Sequence, residues 1–199
     1  MTAPPGLWRA FACLLEYPRR SPAAAARECA GLLAPLCAEA AAAVAAFAAF
    51  AERAPGGAVE EAYTRVFDLD ATHCPYVGFH LFGESYKRSV FLVRMKTQAR
   101  ALGLALGSEL PDHVGVLLRF LDAGADAEFE AELIGEALLP ALHRMTATTA
   151  GDDESPAPSE GSAAYHGVLT ALRAALEACH APGVGEAAAA AEAPPPGPR

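Results

Sequence analysis

The segment between Tyr63 and Arg88 holds most of the side chains in this chain that could recognise a ligand. Its candidate binding residues are Tyr63, Phe67, Asp68, Asp70, Tyr76, His80, Phe82, Glu84 and Tyr86. Aromatic rings supply contact area at a small entropic cost, and carboxylates pair with arginine or lysine. This combination predicts an apolar, acidic cleft that binds a peptide carrying apolar residues and a basic group. The alternative for Phe67, Phe82 and Tyr86 is packing in the core.

A second polar cluster stands near the start of a later predicted helix and consists of Glu109, Pro111, Asp112 and His113. Proline is tolerated in the first turn of a helix, and a carboxylate there can cap free amides. The histidine can pair with an acid. The cluster therefore either fixes a bend in the chain or forms a functional hinge that holds a ligand.

Catalytic chemistry has a weaker basis in this sequence. His80 and Glu84 are four residues apart, and together with His113 they could serve a metal-dependent hydrolase, with His73 and Cys74 as further metal ligands. The common phosphate-loop, dinucleotide, zinc-protease and serine-hydrolase motifs do not occur in the sequence. Structural hydrogen bonding is the preferred interpretation of these histidines. We therefore expect a protein that is not an enzyme and that itself binds no metal and no cofactor.

Composition restricts the compartment and the class of partner. The formal net charge of −9 disfavours nucleic acid, whose phosphates require a basic surface. The five cysteines are scattered without a Cys-x-x-Cys pair, which fits a reducing cytoplasm. The longest uncharged apolar run, Ala40 to Ala51, is shorter than the about 20 residues that a membrane span needs, and the N-terminus lacks the basic residues of a secretory leader. We expect a cytoplasmic protein with no direct membrane insertion.

Helical periodicity dominates the chain, and no segment has the alternating pattern of a strand. The predicted helices cover Leu7 to Leu15, Pro22 to Leu36, an alanine-rich stretch that ends before Pro55, a stretch with Val59, Tyr63, Val66 and Phe67, Glu84 to Leu102, a helix from Pro111 through Leu121, and a helix from about Phe129 to Met145. Leu69 to Gly83 reads as a loop or a set of short turns, because Pro75, Gly78 and Gly83 interrupt it.

The helix predicted from Glu84 is apolar on two sides. Tyr86, Val90 and Val93 share one side, and Phe91 and Met95 lie nearly opposite. Two apolar sides predict a central helix that is covered on both. Its cations are expected to form a solvated rim and are Lys87, Arg88, Arg94, Lys96 and Arg100.

These patterns predict an all-α fold, a single-domain helical bundle over residues 1–145. Residues 146–161 are rich in Ser, Pro, Asp and Glu and are predicted to be a flexible linker. Residues 162–180 form a C-terminal helix whose apolar stripe should dock on the domain. Residues 181–199 consist mostly of alanine, proline and glycine and are predicted to be a disordered tail.

The order of several short motifs resembles the assembly chaperones of molybdoenzymes of the NarJ and TorD type. The motifs are Leu14-Leu-Glu-Tyr-Pro18, Tyr63-Thr-Arg-Val-Phe-Asp-Leu69, His80-Leu-Phe-Gly-Glu-Ser-Tyr-Lys-Arg88 and Glu109-Leu-Pro-Asp-His113. The resemblance covers about residues 7–145, and the run that begins at His80 is most similar to the nitrate reductase delta-subunit branch. Val66 stands where the family's tyrosine motif has leucine.

The resemblance implies a TorD-like helical fold and a cytoplasmic protein without enzymatic turnover. Such a protein binds the N-terminal segment of a molybdopterin-containing catalytic subunit, delays its membrane attachment or export, and assists insertion of a cofactor that the client carries. It further implies roles for Tyr63, Phe67 and Asp68 in the first motif and for the Glu109 to His113 hinge motif. A permanent structural subunit of the oxidoreductase is the alternative. Cys74-Pro75 and the acidic linker have no counterpart in the family pattern.

Overall fold

The structure of this protein is a computed structural model and describes residues 2–147 and 159–180. Helices account for its regular structure. They are α1 (Leu7–Leu15), α2 (Ala23–Leu33), α3 (Ala38–Arg53), α4 (Ala58–Tyr63), α5 (Val77–Phe82), α6 (Tyr86–Ala101), α7 (Val114–Asp122), α8 (Ala127–Glu132), α9 (Leu139–Met145) and α10 (Glu160–His180). The predicted all-α fold is confirmed. Within the described ranges the single departure is an isolated antiparallel bridge between Tyr76 and His113.

Two helices continue beyond these bounds with wider turns, and one short turn precedes α5. α4 runs on into a π-helical turn at Thr64–Asp68, and α8 is joined to α9 by another at Leu133–Leu138. Ala71–His73 form a single 3-10 turn. The prediction of a loop throughout Leu69 to Gly83 is wrong in its second half, because residues 77–82 follow Pro75 as a regular helix.

The core is built around α10, which packs chiefly against α3 and also against α4 and α9, while α1 packs against α7 and α2. Tyr165 of α10 is completely buried, and its ring centroid lies 4.8 Å from that of Phe47, 5.8 Å from that of Tyr63 and 5.3 Å from that of Phe67. Edge-on aromatic pairs of this kind contribute about 0.5–1.5 kcal/mol beyond their buried area. This aromatic cluster ties α10 to the first half of the chain.

The start of α10 depends on a glycine. A methyl group at Gly161 would lie 2.5 Å from Ala62 Cβ and 3.0 Å from Phe50 Cζ. Only hydrogen fits there, so Gly161 allows α10 to approach α3 and α4 closely.

The prediction that α6 is a central helix is wrong. Only Met95 and Ala99 of its 16 residues are buried, whereas Tyr86, Val90 and Val93 are exposed to 82%, 51% and 66%. One of its two apolar sides packs on the protein, chiefly on α5, and the other faces solvent.

The boundaries near the C-terminus differ slightly from the predicted ones. Thr146, placed in the linker by the sequence, is buried; its hydroxyl donates to the Leu142 carbonyl (2.8 Å) and accepts from Arg173 (2.9 Å). α10 begins at Glu160 rather than at residue 162.

Most of the predicted linker (148–158) and the whole predicted tail (181–199) lie outside the described residues. Within the described ranges, no helix has the length and apolar character to cross a membrane.

Candidate functional site

The start of α5 is joined to the start of α7 by two backbone hydrogen bonds. The Val77 amide donates to the Asp112 carbonyl oxygen (2.9 Å), and the Val114 amide donates to the Pro75 carbonyl oxygen (2.8 Å). These bonds form the bridge between Tyr76 and His113. They bring a part of the aromatic segment into contact with the predicted hinge motif, about 35 residues later in the chain.

A buried ion pair occupies the centre of this junction. Arg88 Nε donates to Asp112 Oδ2 (3.0 Å); the Asp112 side chain is fully buried and that of Arg88 is 15% exposed. Within the described part of the chain, the buried Oδ1 of Asp112 accepts no hydrogen bond. A methyl group at Gly78 would lie 2.7 Å from Asp112 Oδ2, so the carboxylate reaches the backbone of α5 only because residue 78 has no side chain.

Aromatic and acidic groups surround the guanidinium of Arg88. Its central carbon lies 5.8 Å from the ring centroids of both Tyr76 and Phe79, within the range of a cation–π interaction. The Tyr76 hydroxyl donates to Glu109 Oε2 (3.3 Å). Burial, reinforced by the negative charge of Glu109, raises the pKa of Tyr76 to about 12, so the phenol keeps its proton at neutral pH.

His113 is buried, and its imidazole serves as a hydrogen-bond acceptor for the backbone. Its Nδ1 accepts a hydrogen bond from the Gly115 amide (3.1 Å) and thereby caps the first turn of α7. Burial lowers the pKa of His113 below its ordinary value, although Glu109 and Asp112 act in the opposite direction. The imidazole is therefore neutral at neutral pH, with its proton on Nε2.

A second cluster of histidines lies between the 3-10 turn, α5 and α10. His73 Nδ1 donates to Asp70 Oδ2 (2.8 Å), and the ring of His73 lies 5.8 Å from that of His166. His80 donates from Nε2 to the Cys74 carbonyl oxygen (2.7 Å). Burial lowers the pKa of His80 and of His166, and the positive charges nearby act in the same direction.

An apolar groove of about 200 Å³ lies between α5, α6 and the α8 region. Its lining consists of Leu81, Phe82, Phe91, Arg94, Met95, Phe129, Glu132, Leu133, Glu136 and Ala137. The ring centroids of Phe82 and Phe91 in this lining are 5.7 Å apart. Arg94, also in the lining, forms an ion pair with Glu132, whereas Glu136 is exposed and has no cation within 4.0 Å among the residues described. Within that part of the chain, the groove thus offers apolar area beside a carboxylate that forms no ion pair.

The structure does not gather the predicted binding residues into one cleft. Tyr63 and Phe67 lie in the core, 5% and 2% exposed, and the Tyr63 hydroxyl donates to the Leu15 carbonyl (3.2 Å). Tyr76 joins the hinge motif, Asp70 joins the histidine cluster, and Phe82 lines the groove. The exposed ones are Asp68, Glu84 and Tyr86.

The three residues considered for a hydrolase have separate environments. Gly83 has a left-handed backbone (φ 59°) and ends α5, so His80 and Glu84 belong to different segments. His80 is bonded to a backbone carbonyl, and His113 caps α7. In residues 2–147 and 159–180, no group of three or more His, Cys, Asp or Glu side chains is arranged to hold a metal ion.

Sequence reasoning missed the role of several groove residues. The sequence identifies Phe91 and Met95 only as one apolar side of a helix, and it assigns no binding role to Phe129, Leu133 or Glu136. For Phe91 and Met95 the signal is the two-sided apolar pattern of α6, which becomes informative only once it is known what covers each side.

The sequence matches the profile of the family described as nitrate reductase delta subunit over residues 33–182, about three quarters of the chain. The chain belongs to this family. Comparison with individual curated proteins gives no match. The delta-subunit family comprises assembly chaperones of molybdoenzymes, not catalytic subunits, and associates with nitrate reductase. The matched region runs from the end of α2 through α10, so the C-terminal helix is part of the family domain.

Proposed function

We propose that this delta-subunit family member is a dedicated cytoplasmic chaperone for the catalytic subunit of a nitrate reductase-like molybdoenzyme. It binds the N-terminal segment of that subunit before membrane attachment or export and assists insertion of the molybdenum cofactor. The client carries the molybdopterin cofactor and this chain binds none. The observation that carries the proposal is the family match over residues 33–182.

The groove beside α5 is the best candidate for binding the client peptide. Phe82, Phe91 and Phe129 line it with aromatic rings, and the lining also includes Glu136, which forms no ion pair among the residues described. A peptide with apolar side chains and a lysine or arginine would bury the former and pair with the latter. The groove therefore has the apolar and acidic character that the sequence predicts for the segment between Tyr63 and Arg88. Phe82 belongs both to the predicted binding residues and to the lining of the groove.

The junction around Asp112 adjoins this groove through α5 and α6. Arg88 and Phe91 both belong to α6; Asp112 pairs with Arg88, and the ring of Phe91 lies 5.7 Å from that of Phe82. Since the hinge-motif carboxylate holds α6 against α5, it positions the two helices that supply Phe91 and Phe82 to the groove. In this proposal Asp112 positions the groove and does not contact the peptide.

The test is titration of the full chain with a fluorescent synthetic peptide corresponding to the N-terminal segment of the cognate catalytic subunit. We expect saturable binding that Phe82→Ala and Glu136→Lys each weaken about tenfold or more, because each removes a central contact. Glu28→Lys makes the same charge change on an exposed position of α2 and should leave the affinity within about twofold.

Two outcomes would contradict different parts of the proposal. Absence of saturable binding by the wild-type chain contradicts the chaperone function. Wild-type affinity in both groove variants leaves the function intact but moves the peptide site elsewhere. Copurification with mature, cofactor-loaded enzyme in fixed stoichiometry would instead favour a permanent structural subunit.

A further inference from the structure

The outer face of α6 is exposed in the described part of the chain and combines apolar and basic side chains. Tyr86, Val90 and Val93 follow one another at helical spacing and are exposed to 82%, 51% and 66%. They form a narrow apolar stripe on the side opposite Phe91 and Met95, which face the groove. Scattered exposed apolar residues are normal, but three in register on one helix face form a continuous ridge.

Cations flank this stripe on both sides. α6 carries five lysines and arginines and no acid, whereas the whole chain has a net charge of −9. Lys87 lies on one side of the stripe, and Lys96 and Arg100 lie on the other. All three are exposed, and in the described ranges none has a carboxylate within 4.0 Å. The two remaining cations are already paired, Arg88 with Asp112 and Arg94 with Glu132.

We propose that this outer face, defined by Tyr86, Val90 and Val93 with Lys87, Lys96 and Arg100, is a second docking surface that binds an acidic amphipathic helix of a partner protein. Such a helix places an apolar ridge along the stripe and its glutamates or aspartates beside the three free cations. The basic client peptide proposed for the groove does not fit here, because the cations of α6 repel it. The two surfaces lie on opposite sides of the same helix.

Charge also decides between this partner and a second copy of the chain. Two copies meeting through this face would bring together two sets of Lys87, Lys96 and Arg100 from helices that contain no acid, and like charges across an interface oppose association. A lipid surface is disfavoured for a different reason. The stripe consists of one tyrosine and two valines, which is little area to insert compared with the tryptophan, phenylalanine and leucine faces of interfacial helices.

The experiment uses the full chain and a fluorescently labelled synthetic peptide of 18 residues with a leucine stripe flanked by glutamates. A matched peptide has lysine in place of every glutamate. We expect the acidic peptide to bind saturably, to weaken as salt rises, and to bind more tightly than the lysine peptide. Lys87→Glu with Arg100→Glu should weaken its binding about tenfold or more, because attraction becomes repulsion on both flanks.

Two matched variants isolate the surface. Arg19→Glu with Arg20→Glu makes the same charge change at two exposed positions before α2 and should leave the affinity within about twofold. Val90→Ser with Val93→Ser should weaken binding with an unchanged thermal midpoint, since both side chains are exposed. None of these variants touches the groove, so all should bind the client peptide as the wild type does.

The proposal is overturned if the lysine peptide binds as tightly as the acidic one, or if the Arg19 and Arg20 control weakens binding as much as the α6 variant. Cosedimentation with phosphatidylglycerol vesicles that is abolished by Lys87→Glu with Arg100→Glu would assign the face to a membrane. A dimer in sedimentation velocity that Val90→Ser with Val93→Ser dissociates would assign it to self-association. Failure of the client peptide titration leaves this test unaffected, because it probes the opposite side of α6.

Discussion

α10 has 21 residues and α6 has 16, yet these two long helices have opposite environments. α10 has eight buried residues, among them Tyr165, and is surrounded by α3, α4 and α9. α6 has two buried residues and exposes three large apolar ones. Both helices carry apolar side chains at helical spacing, but α6 also carries five cations and no acid. Apolar residues on one side of a helix therefore do not show whether another part of the chain covers that side.

The largest effect is expected from loss of the ion pair that attaches α6 to the segment before α7. Asp112→Ala leaves Arg88 without its buried partner, and breaking such a pair costs about 3–5 kcal/mol. We expect a loss of this size in the free energy of unfolding, measured by urea denaturation. Adding Arg88→Ala to the same chain should recover part of the loss, because the uncompensated charge is removed. A loss below about 1 kcal/mol would mean that the pair does not hold α6.

Substitutions of the two glycines of α10 test how closely this helix packs against its neighbours. Gly161→Ala places a methyl group 2.5 Å from Ala62 Cβ, and we expect it to destabilise the protein by about 1–3 kcal/mol. Gly167→Ala is the matched control in the same helix, because its methyl group would lie no closer than 3.8 Å to Ala43 Cβ. Higher helix propensity should then stabilise the protein by about 0.5–1 kcal/mol. Thermal unfolding of both variants measures the difference, and equal shifts would contradict the close approach.

Acid should destabilise the protein through the buried His113 and the partly buried His80 and His166. Burial lowers the pKa of His80 at α5, of His113 at α7 and of His166 at α10. Below the ordinary value of about 6.5 the unfolded chain binds protons that the folded chain does not, so stability is complete above that pH and declines as the pH falls. Urea unfolding between pH 8 and pH 5 should show this decline, and His80→Gln should make it shallower. If His80→Gln leaves the dependence of the free energy of unfolding on pH unchanged, protonation of His80 does not cause the decline.

The smallest effect is expected on the outer face of α6. Val93→Ser changes a side chain that is 66% exposed, so the free energy of unfolding should change by no more than about 0.5 kcal/mol. Chemical denaturation checks this value. A larger loss of unfolding free energy would show that the stripe is covered within the folded chain, as the apolar side of α10 is.

Much of the fold was predictable from local patterns. The periodicity of Leu7 to Leu15 gave α1 with the same bounds, and Pro55 to Gly57 separated α3 from α4 as expected. α5 was not predictable, because its six residues are too few to show a period and lie between Pro75 and Gly83. It is held as a helix against α6 and by the bonds to residues 112 and 114, which lie far away in sequence.

The candidate site was predictable in composition but not in arrangement. Tyr63 and Tyr86 are both aromatic residues of the same segment, yet one is in the core and the other is almost fully exposed. No local signal separates them, since each lies in a helix and each has apolar neighbours at helical spacing. The link between Asp112 and Arg88 is similarly invisible in the sequence, because the two residues are 24 positions apart, one in α6 and the other just before α7.

The sequence by itself determined the helical class and the acidic charge, because these depend on residue types and short spacings, and the family, because this depends on the order of short motifs along the chain. Only the tertiary structure decided that Asp112 meets Arg88, that Phe82 meets Phe91, and that one apolar side of α6 has no cover. The physical reason is that periodicity fixes which residues share a helix face, whereas the partner of that face is chosen by the packing of the whole chain.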